Sequence, residues 1–413
     1  MVFLLKVKKI YVFFRLNNFN RNSITALISS LNEVNNPQIK FIKDGNEIDN
    51  VLKLSELKVI CYSFSTPELL NVKKEIAFIR SLKSSNCLLV AGGPHPTADP
   101  EGTLKLGFDY CFVGESEKTF CRFILKIQKK EFPAGSIIFQ GNEIVDINDY
   151  YPVLPKYNLV PPLEITRGCI RKCSYCQTPD IFGNKLRHRN IENVFKSLKI
   201  ASLNSRKRTW FISPNAFSYG TNDYTKPSVD SIKMLLEIAR KAGINEIFFG
   251  SFPAEVCPES VNEEILQIVK RYCKNKRIII GVQSVSERTL KSLNRFSSIS
   301  EIKRAVYLVK KTGFIPVLDF IFGLPDENES EIRETLTLIS YLIKEYRAQI
   351  HAHTYIPLPS TPFWHKEPVR LKKYVKEFLL DLEYRKKLFG DWKEQEILSK
   401  NILKWKEKGL ITV

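Results

Sequence analysis

Three cysteines within eight residues constrain this chain more than any other feature: the run CIRKCSYC places Cys169, Cys173 and Cys176 with gaps of three and two residues. They follow a short strand-like stretch, Leu163 to Thr166, and the turn dipeptide Arg167-Gly168. A loop at a strand end can wrap a metal centre. Thiolates are the ligands that iron-sulfur clusters take, and three of them leave one iron of a cubane without a protein ligand. Two other readings stand beside this one. A structural zinc site completed by His188 would use the same donor types, and three incidental thiols would need no metal. A ferredoxin-like carrier would want a fourth nearby cysteine, and none follows until Cys257. The other six cysteines (Cys61, Cys87, Cys111, Cys121, Cys257, Cys273) are scattered in apolar or strand-like contexts and read as core thiols. A reducing compartment is expected, since a cysteine cluster in an enzyme-sized chain suits a metal better than a disulfide framework.

At 413 residues, 44% of them hydrophobic, the chain is expected to fold as two or three domains. The first third alternates apolar runs with helix-length amphipathic stretches: IYVFFR, a helix from about Ser23 to Glu33, KVICYSF, a helix from about Glu68 to Ser81, then CLLVAGG. DYCFVG and a helix from about Glu117 continue the series, which predicts a doubly wound, Rossmann-like parallel sheet over residues 1–148. The start, MVFLLKVKKIYVFF, is broken by Lys6, Lys8 and Lys9, lacks a cleavage site and reads as part of the first strand. Residues Gly135 to Ile147 read as an edge hairpin. Pro152, Pro155, Pro161 and Pro162 mark an extended linker over 149–161. Strands near LEIT, TWFIS, EIFFG, RIIIGV, IPVLDFIFG and QIHAHTYIP then alternate with helices, which predicts a partial (β/α)6 TIM-like barrel over 162–368 with its site at the carboxyl ends of the strands. Residues 369–413, with Trp392 and Trp405, read as a helical extension covering that barrel.

Lys and Arg number 63 against 44 Asp and Glu, a net charge of +19. The excess sits in Lys-rich stretches such as Lys303 to Lys311 and Lys372 to Lys387, which read as solvated helix faces, so nucleic acid is the less favoured partner. No window reaches the roughly 18 uninterrupted apolar residues that a membrane span requires. A cytoplasmic protein without a membrane partner is expected.

The Cys-x3-Cys-x2-Cys pattern, with Tyr175 just before the last cysteine, resembles the signature of the radical S-adenosylmethionine (SAM) superfamily. The resemblance implies a 4Fe-4S cluster on the three cysteines, SAM bound through its amino and carboxylate groups to the unligated iron, and reductive cleavage to a 5'-deoxyadenosyl radical. Later segments carry it further. IIIGVQSVSERTLKSLNR resembles the fourth-strand region of the coproporphyrinogen dehydrogenase and methylthiotransferase branches. That implies Gln283 near the SAM ribose and Arg295 on the methionyl carboxylate, a role suited to a planar fork of donors. DFIFGLPDEN resembles their fifth strand, implying Asp319 aimed inward at a ribose hydroxyl with Gly323 and Pro325 shaping the loop. IHAHTYIPLPSTP resembles their sixth, which makes Ile356 and Pro357 candidates for flanking the adenine. The glycine-rich turn that usually follows the second strand and holds the SAM amino group is replaced by Ser213-Pro214-Asn215, so Ser213 and Asn215 are the candidates there. The third strand ends GSFPAEV, whose Ser251 or Glu255 would add a polar contact.

Residues 87–117, CLLVAGGPHPTADPEGTLKLGFDYCFVGESE, resemble the cobalamin-binding domain that precedes many radical SAM barrels. By that resemblance Gly92, Gly93 and Gly114 would let the backbone approach the nucleotide tail of the corrin. The cobalamin-ligating D-x-H-x-x-G motif is absent, and His95 lies in a different loop. Cobalamin bound without a histidine ligand and a doubly wound domain that has lost its cofactor both stay open. The leading expectation is a radical SAM enzyme acting on a small-molecule or biosynthetic-intermediate substrate, fed by an electron donor such as ferredoxin or flavodoxin. With cobalamin, methyl transfer to an unactivated carbon is the expected outcome. The alternatives are a tRNA-modifying methylthiotransferase-like enzyme and a non-catalytic cobalamin or iron-sulfur binding protein.

Overall fold

The computed structural model describes residues 10–82, 86–133 and 135–413. Residues 1–9 of the expected first strand lie outside the described residues. The chain divides into two compact units, one of Met1–Pro161 with Asp180–Phe182 and Lys406–Val413, the other of Pro162–Pro179 with Gly183–Trp405.

The first unit is a parallel sheet of β1 (Tyr11–Arg15), β2 (Gln38–Ile42), β3 (Lys58–Ser63), β4 (Cys87–Gly92), β5 (Tyr110–Gly114) and β6 (Ile137–Gly141), in the order β2-β1-β3-β4-β5-β6. Strand β3, KVICYS, is buried at every position, as a central parallel strand covered on both faces must be. Helices Arg21–Ser30, Leu69–Ser81 and Glu117–Gln128 belong to this unit. The last buries Phe120, Cys121, Phe123, Ile124 and Ile127, an apolar stripe at helical spacing. The strand order reverses direction at β1, and in doubly wound sheets ligands bind at the carboxyl ends of the strands beside such a reversal.

Two expectations are corrected in this unit. Gly135 to Ile147 forms no hairpin: β6 joins β5 in parallel, because the helix Glu117–Gln128 carries the chain back to the same end, and the remainder turns into a short 3-10 segment. Residues 149–161 are no bare extended connector either. Leu154 and Leu159 pair across a tight turn with Asn158 at φ +54°, and Val153 and Leu159 are buried, so apolar side chains between the prolines draw the segment onto the core. Thr412 closes the unit by donating its N–H and hydroxyl to Asp99 at 2.9 and 2.6 Å.

The second unit contains β7 (Leu163–Glu164), β8 (Thr166–Arg167), β9 (Arg187–His188), β10 (Arg208–Ile212), β11 (Glu246–Phe248), β12 (Arg277–Gln283), β13 (Ile315–Phe322), β14 (Gln349–Thr354) and β15 (Leu388–Phe389). Strands β11-β10-β7 and β12-β13-β14-β15 form two parallel sheets, while β8 and β9 make a two-residue antiparallel pair. The chain following β11 joins the two sheets: Ile279 donates to Gly250, Val256 to Ile279 and Gly281 to Val256 at 2.9, 2.9 and 3.0 Å. The result is a partial barrel. Ile278, Ile280, Val282, Leu318, Phe320, Phe322, Ile350 and Ala352 join the apolar core. Strand alternation therefore turns Gly281, Gln283, Asp319, Ile321, His351 and His353 to the opposite face, the barrel interior.

The carboxyl-terminal segment also differs from expectation. Helices Lys373–Tyr384 and Trp392–Glu407 are present, but between them β15 extends the barrel sheet beside β14. Two residues are too few for a strand pattern to show, and the strand forms because the free edge of β14 offers it backbone partners, as in Ile350 N–H to Lys387 O at 2.8 Å. Among the described residues no helix is long and apolar enough to cross a membrane.

Candidate active site

The cysteine loop is aimed by a glycine. Gly168 has φ +83°, and a β-carbon there would lie 2.1 Å from the carbonyl oxygen of Lys185, so only glycine lets the two chain segments pass. Cys169 N–H donates to Gly183 O at 3.1 Å, and Cys176 N–H turns back onto Cys173 O at 3.0 Å. The middle of the loop is clamped from outside. Ser174 donates its N–H to Leu293 O and its hydroxyl to Ser292 O at 3.0 and 2.9 Å, and its own carbonyl accepts from Phe363 N at 2.9 Å. Tyr175 packs against the cluster of Leu293, Leu324, Tyr355 and Phe363, which Ile321 of β13 also joins.

All three loop cysteines are free thiols. Cys169 Sγ lies 3.4 Å from Tyr224 Oη, Cys176 Sγ 3.3 Å from Thr178 Oγ1, and Cys173 Sγ 3.9 Å from Arg295 Nη1. Burial raises the pKa of Cys169 and Cys176 above the usual thiol range, so a bound metal ion is what would hold them as thiolates at neutral pH. The zinc alternative through His188 fails on geometry. One ring nitrogen of His188 meets Thr166 Oγ1 at 3.0 Å and the other Thr221 O at 3.0 Å, so neither lone pair is aimed at the cysteines. Of the six remaining cysteines, five are buried and Cys273 is half-buried, as core thiols should be. Cys257 packs with Tyr224 and Cys169 at the edge of the loop.

Arg295 leads from the loop into the barrel. Its other terminal nitrogen donates to Gly281 O. A β-carbon at Gly281 would sit 3.3 Å from Gln283 Nε2, 3.5 Å from Arg295 Nη2 and 3.9 Å from Glu255 Oε2, so three polar groups converge on the bare face of one glycine. Gln283 is turned there by its φ of +73° at an irregularity in the β12–β13 register. Across the sheet, Gly281 pairs with Asp319, Asp319 with His351 and His351 with Phe389. Register partners share a face, which makes one polar layer across the interior. Asp319 is 2% exposed, with Oδ1 2.7 Å from His351 Nδ1. Burial pushes its pKa up to about 6, and burial, together with the charge and hydrogen bond of Asp319, pushes Glu255 well above the carboxylate range.

Gln283, Arg295, Asp319 and Glu255, named from sequence, thus come together beneath the cysteine loop. Ser213 and Asn215 hold the turn after β10: the Ser213 hydroxyl donates to Asn215 O at 2.8 Å, and Asn215 Oδ1 accepts from Cys257 N at 3.2 Å and Ser260 Oγ at 3.1 Å. Asn215 Nδ2 and Ser251 Oγ are buried without a hydrogen-bond partner among the described residues, two donors left for a ligand. Ile356 is half-buried in the segment after β14. His351 and His353 escaped the sequence reading, although the alternation in HAH already places both rings on one face of a strand.

Residues 163–339 match the family model of the Radical SAM superfamily. The barrel is a radical SAM domain. Members of that superfamily are enzymes that use a 4Fe-4S cluster and SAM. The radical SAM barrel here offers three thiols on one clamped loop, with polar donors beneath it, as such a pair requires. An uncharacterized protein of Methanopyrus kandleri is 22% identical over 330 residues, 66% of this chain and 61% of that protein, so the chain spans less than two thirds of that relative's length. A tRNA-2-methylthio-N(6)-dimethylallyladenosine synthase of Sulfurihydrogenibium is 25% identical over 293 residues, 68% of this chain and 64% of that protein. Among solved structures, the radical SAM methyltransferase TsrM of Kitasatospora setae superposes with a TM-score of 0.64 at 14% identity, covering 86% of this chain and 76% of TsrM. The cobalamin-dependent radical SAM enzyme OxsB superposes with a TM-score of 0.63 at 18% identity, covering 92% of this chain and 56% of OxsB. Both likenesses extend beyond the barrel and establish the fold.

Proposed function

We propose that the chain binds a 4Fe-4S cluster on Cys169, Cys173 and Cys176, binds SAM against Arg295, Gln283, Glu255 and Asp319, and starts radical chemistry on an unactivated carbon of a small molecule. The observation that carries this reading is Arg295, which touches Cys173 Sγ with one arm and Gly281 O with the other. A cluster held by these thiols would, once reduced, supply the electron that cleaves SAM. The protein's own task is to position and to shield. Arg295 presents a cationic fork within reach of a carboxylate bound beside the cysteines. Glu255 at the bare face of Gly281 and Asp319 beside it in the sheet would meet the ribose, while Tyr175, Phe363 and Tyr355 would keep water from the loop.

Cobalamin on the first unit would make methyl transfer the outcome. The strand order, with its reversal at β1, supports a ligand at that carboxyl edge, as does the likeness to TsrM and OxsB, solved structures with bound cobalamin. The glycines add less. A β-carbon on Gly93, at φ +98°, would lie 2.9 Å from Phe64 N, so the turn itself demands glycine there. His95 is fully buried with Nδ1 on Thr66, so it presents no ligand to a corrin. The bound corrin would therefore lack a histidine from this loop. The methylthio synthase relative favours a second reading, RNA methylthiolation, whose mark is retention on tRNA that weakens steeply with salt.

The deciding experiment is anaerobic reconstitution with iron, sulfide and cobalamin, followed by reduction in the presence of SAM. Release of 5'-deoxyadenosine, alone or with S-adenosylhomocysteine, supports the reading. A protein with a full cluster that yields neither product refutes it.

A further inference from the structure

Each sulfur of the cysteine loop faces a side chain able to donate a hydrogen bond. Cys169 Sγ meets Tyr224 Oη at 3.4 Å, Cys176 Sγ meets Thr178 Oγ1 at 3.3 Å, and Cys173 Sγ meets Arg295 Nη1 at 3.9 Å. Arg295 already has a proposed role beside SAM, whereas the two hydroxyls have none. Tyr224 is 1% exposed, and among the described residues Cys169 Sγ is the one hydrogen-bond partner of its hydroxyl. A buried phenol usually finds a full acceptor, and a thiol sulfur is a weak one. That sulfur becomes a strong acceptor as a thiolate, when the hydrogen bond is charge-assisted. Thr178 follows the same rule. A thiolate has no proton to give, so beside an ionised Cys176 the threonine hydroxyl has to donate.

Both residues are held in place. The Tyr224 backbone is fixed by turns on either side: Asp223 N–H donates to Thr221 Oγ1 at 3.2 Å, and Asp223 Oδ1 accepts from the N–H and hydroxyl of Thr225 at 2.8 and 2.7 Å. The Tyr224 ring packs with Leu186 and Cys257, and the Arg171 guanidinium lies 5.7 Å from its centroid. Arg171 is held in turn by Glu259, which accepts from Ser297 Oγ at 2.6 Å. The ring therefore cannot leave Cys169 without unpacking its neighbours. Thr178 opens the helix Thr178–Phe182 directly after Gln177, whose side-chain amide donates to Pro359 O at 2.9 Å, and this keeps its hydroxyl within reach of Cys176.

We propose that Tyr224 and Thr178 are positioning residues that act through Cys169 and Cys176, donating hydrogen bonds to the cluster thiolates and raising the reduction potential of the cluster. The inference rests on the proposed cluster and deepens that reading. Uptake of one electron from a reductant adds negative charge that the thiolate sulfurs share. A hydrogen bond to sulfur therefore stabilises the reduced state more than the oxidised one. Burial strengthens the effect, because a low local dielectric screens the bond less than water would. No proton is transferred, and each hydroxyl keeps its hydrogen in both states.

Redox titration of the anaerobically reconstituted protein tests this, with dithionite as reductant, mediator dyes setting the potential and the paramagnetic resonance of the reduced cluster as the readout. Tyr224→Phe and Thr178→Val are each expected to make the potential more negative. At the potential where the unaltered protein is half reduced, the ratio of reduced to oxidised cluster should fall about fivefold in either variant. Thr178→Ser keeps the hydroxyl and should keep the potential. Tyr219→Phe is the structural control: it deletes another buried phenol oxygen of the barrel, bonded to Arg189 O at 2.7 Å, and should leave the potential in place. At equal iron content, an unshifted potential in Tyr224→Phe or Thr178→Val overturns the role of that hydroxyl, and an equal shift in Tyr219→Phe overturns the reasoning for both. Where Tyr224→Phe assembles no cluster, the comparison of Thr178→Val with Thr178→Ser decides. An unaltered protein that takes up no cluster gives no signal at any potential, and that result sinks the proposed function itself.

Discussion

Gly168→Ala is expected to weaken both the barrel and its cluster site, by an amount that a second glycine calibrates. Gly168 and Gly183 flank the cysteine loop with similar positive φ values, +83° and +74°. Gly183, with ψ 177°, lies in a region essentially reserved for glycine, and an alanine at such positive φ costs about 2 kcal/mol from backbone sterics alone. At Gly183 nothing lies within 4 Å of the added carbon, so that cost is the whole effect. At Gly168 the carbon would lie 2.1 Å from Lys185 O and 3.1 Å from its carbonyl carbon, both backbone atoms that cannot swing aside. Forcing them apart adds roughly 1–3 kcal/mol, as overpacking in a filled site does. Melting of a unit this size moves by roughly 2–4 °C per kcal/mol. Gly183→Ala should therefore lower the barrel's melting temperature by about 6 °C, and Gly168→Ala by about one and a half to two and a half times as much. Iron content after anaerobic reconstitution should fall in Gly168→Ala and hold in Gly183→Ala, because only the first displaces Cys169. Equal shifts in the two variants, or a full cluster in Gly168→Ala, would refute the close approach as the reason for the glycine.

Single replacement of Cys169, Cys173 or Cys176 by Ala should abolish the iron-thiolate absorbance near ~410 nm, whereas Cys257→Ala should retain it; optical spectra with iron and sulfide analysis decide. Thr412→Val removes one of the three donors to buried Asp99, whose Oδ1 keeps Gly102 N–H, and losing that hydrogen bond costs about 1 kcal/mol. Chemical denaturation followed by a probe in the first unit should show the loss, and an unchanged midpoint would mean the tail contributes nothing there. Acid should also act on that unit. Burial lowers the His95 pKa from its ordinary 6.5 to about 4. The unfolded chain therefore takes up a proton, as pH falls from about 6.5 to 4, that the folded one refuses. Stability present above that window is lost within it by roughly 3 kcal/mol, and a His95→Gln variant should flatten the pH profile of unfolding.

Local pattern alone placed much of this molecule. Two runs of alternating strand and helix announce two α/β units, because alternation with period two and period 3.6 is written in neighbouring residues. The cysteine spacing announced the cluster loop, and the resemblance of the later strands to known radical SAM branches nominated Gln283 and Asp319. What sequence left undecided depends on contacts between distant residues. The strand β15 is two residues long and exists only because the edge of β14 accepts it. The segment after Pro152 looked like a connector until Val153 and Leu159 found a core to enter. Gly281 became the meeting point of Gln283, Arg295 and Glu255 only once register set those strands side by side. His353 meets Gln395, 42 positions away in sequence, through a hydrogen bond that no local pattern encodes. Residue type and spacing can thus nominate the cluster and the face of each strand, while the partners of Asp319 depend on which groups the closed barrel brings within about 3 Å of it.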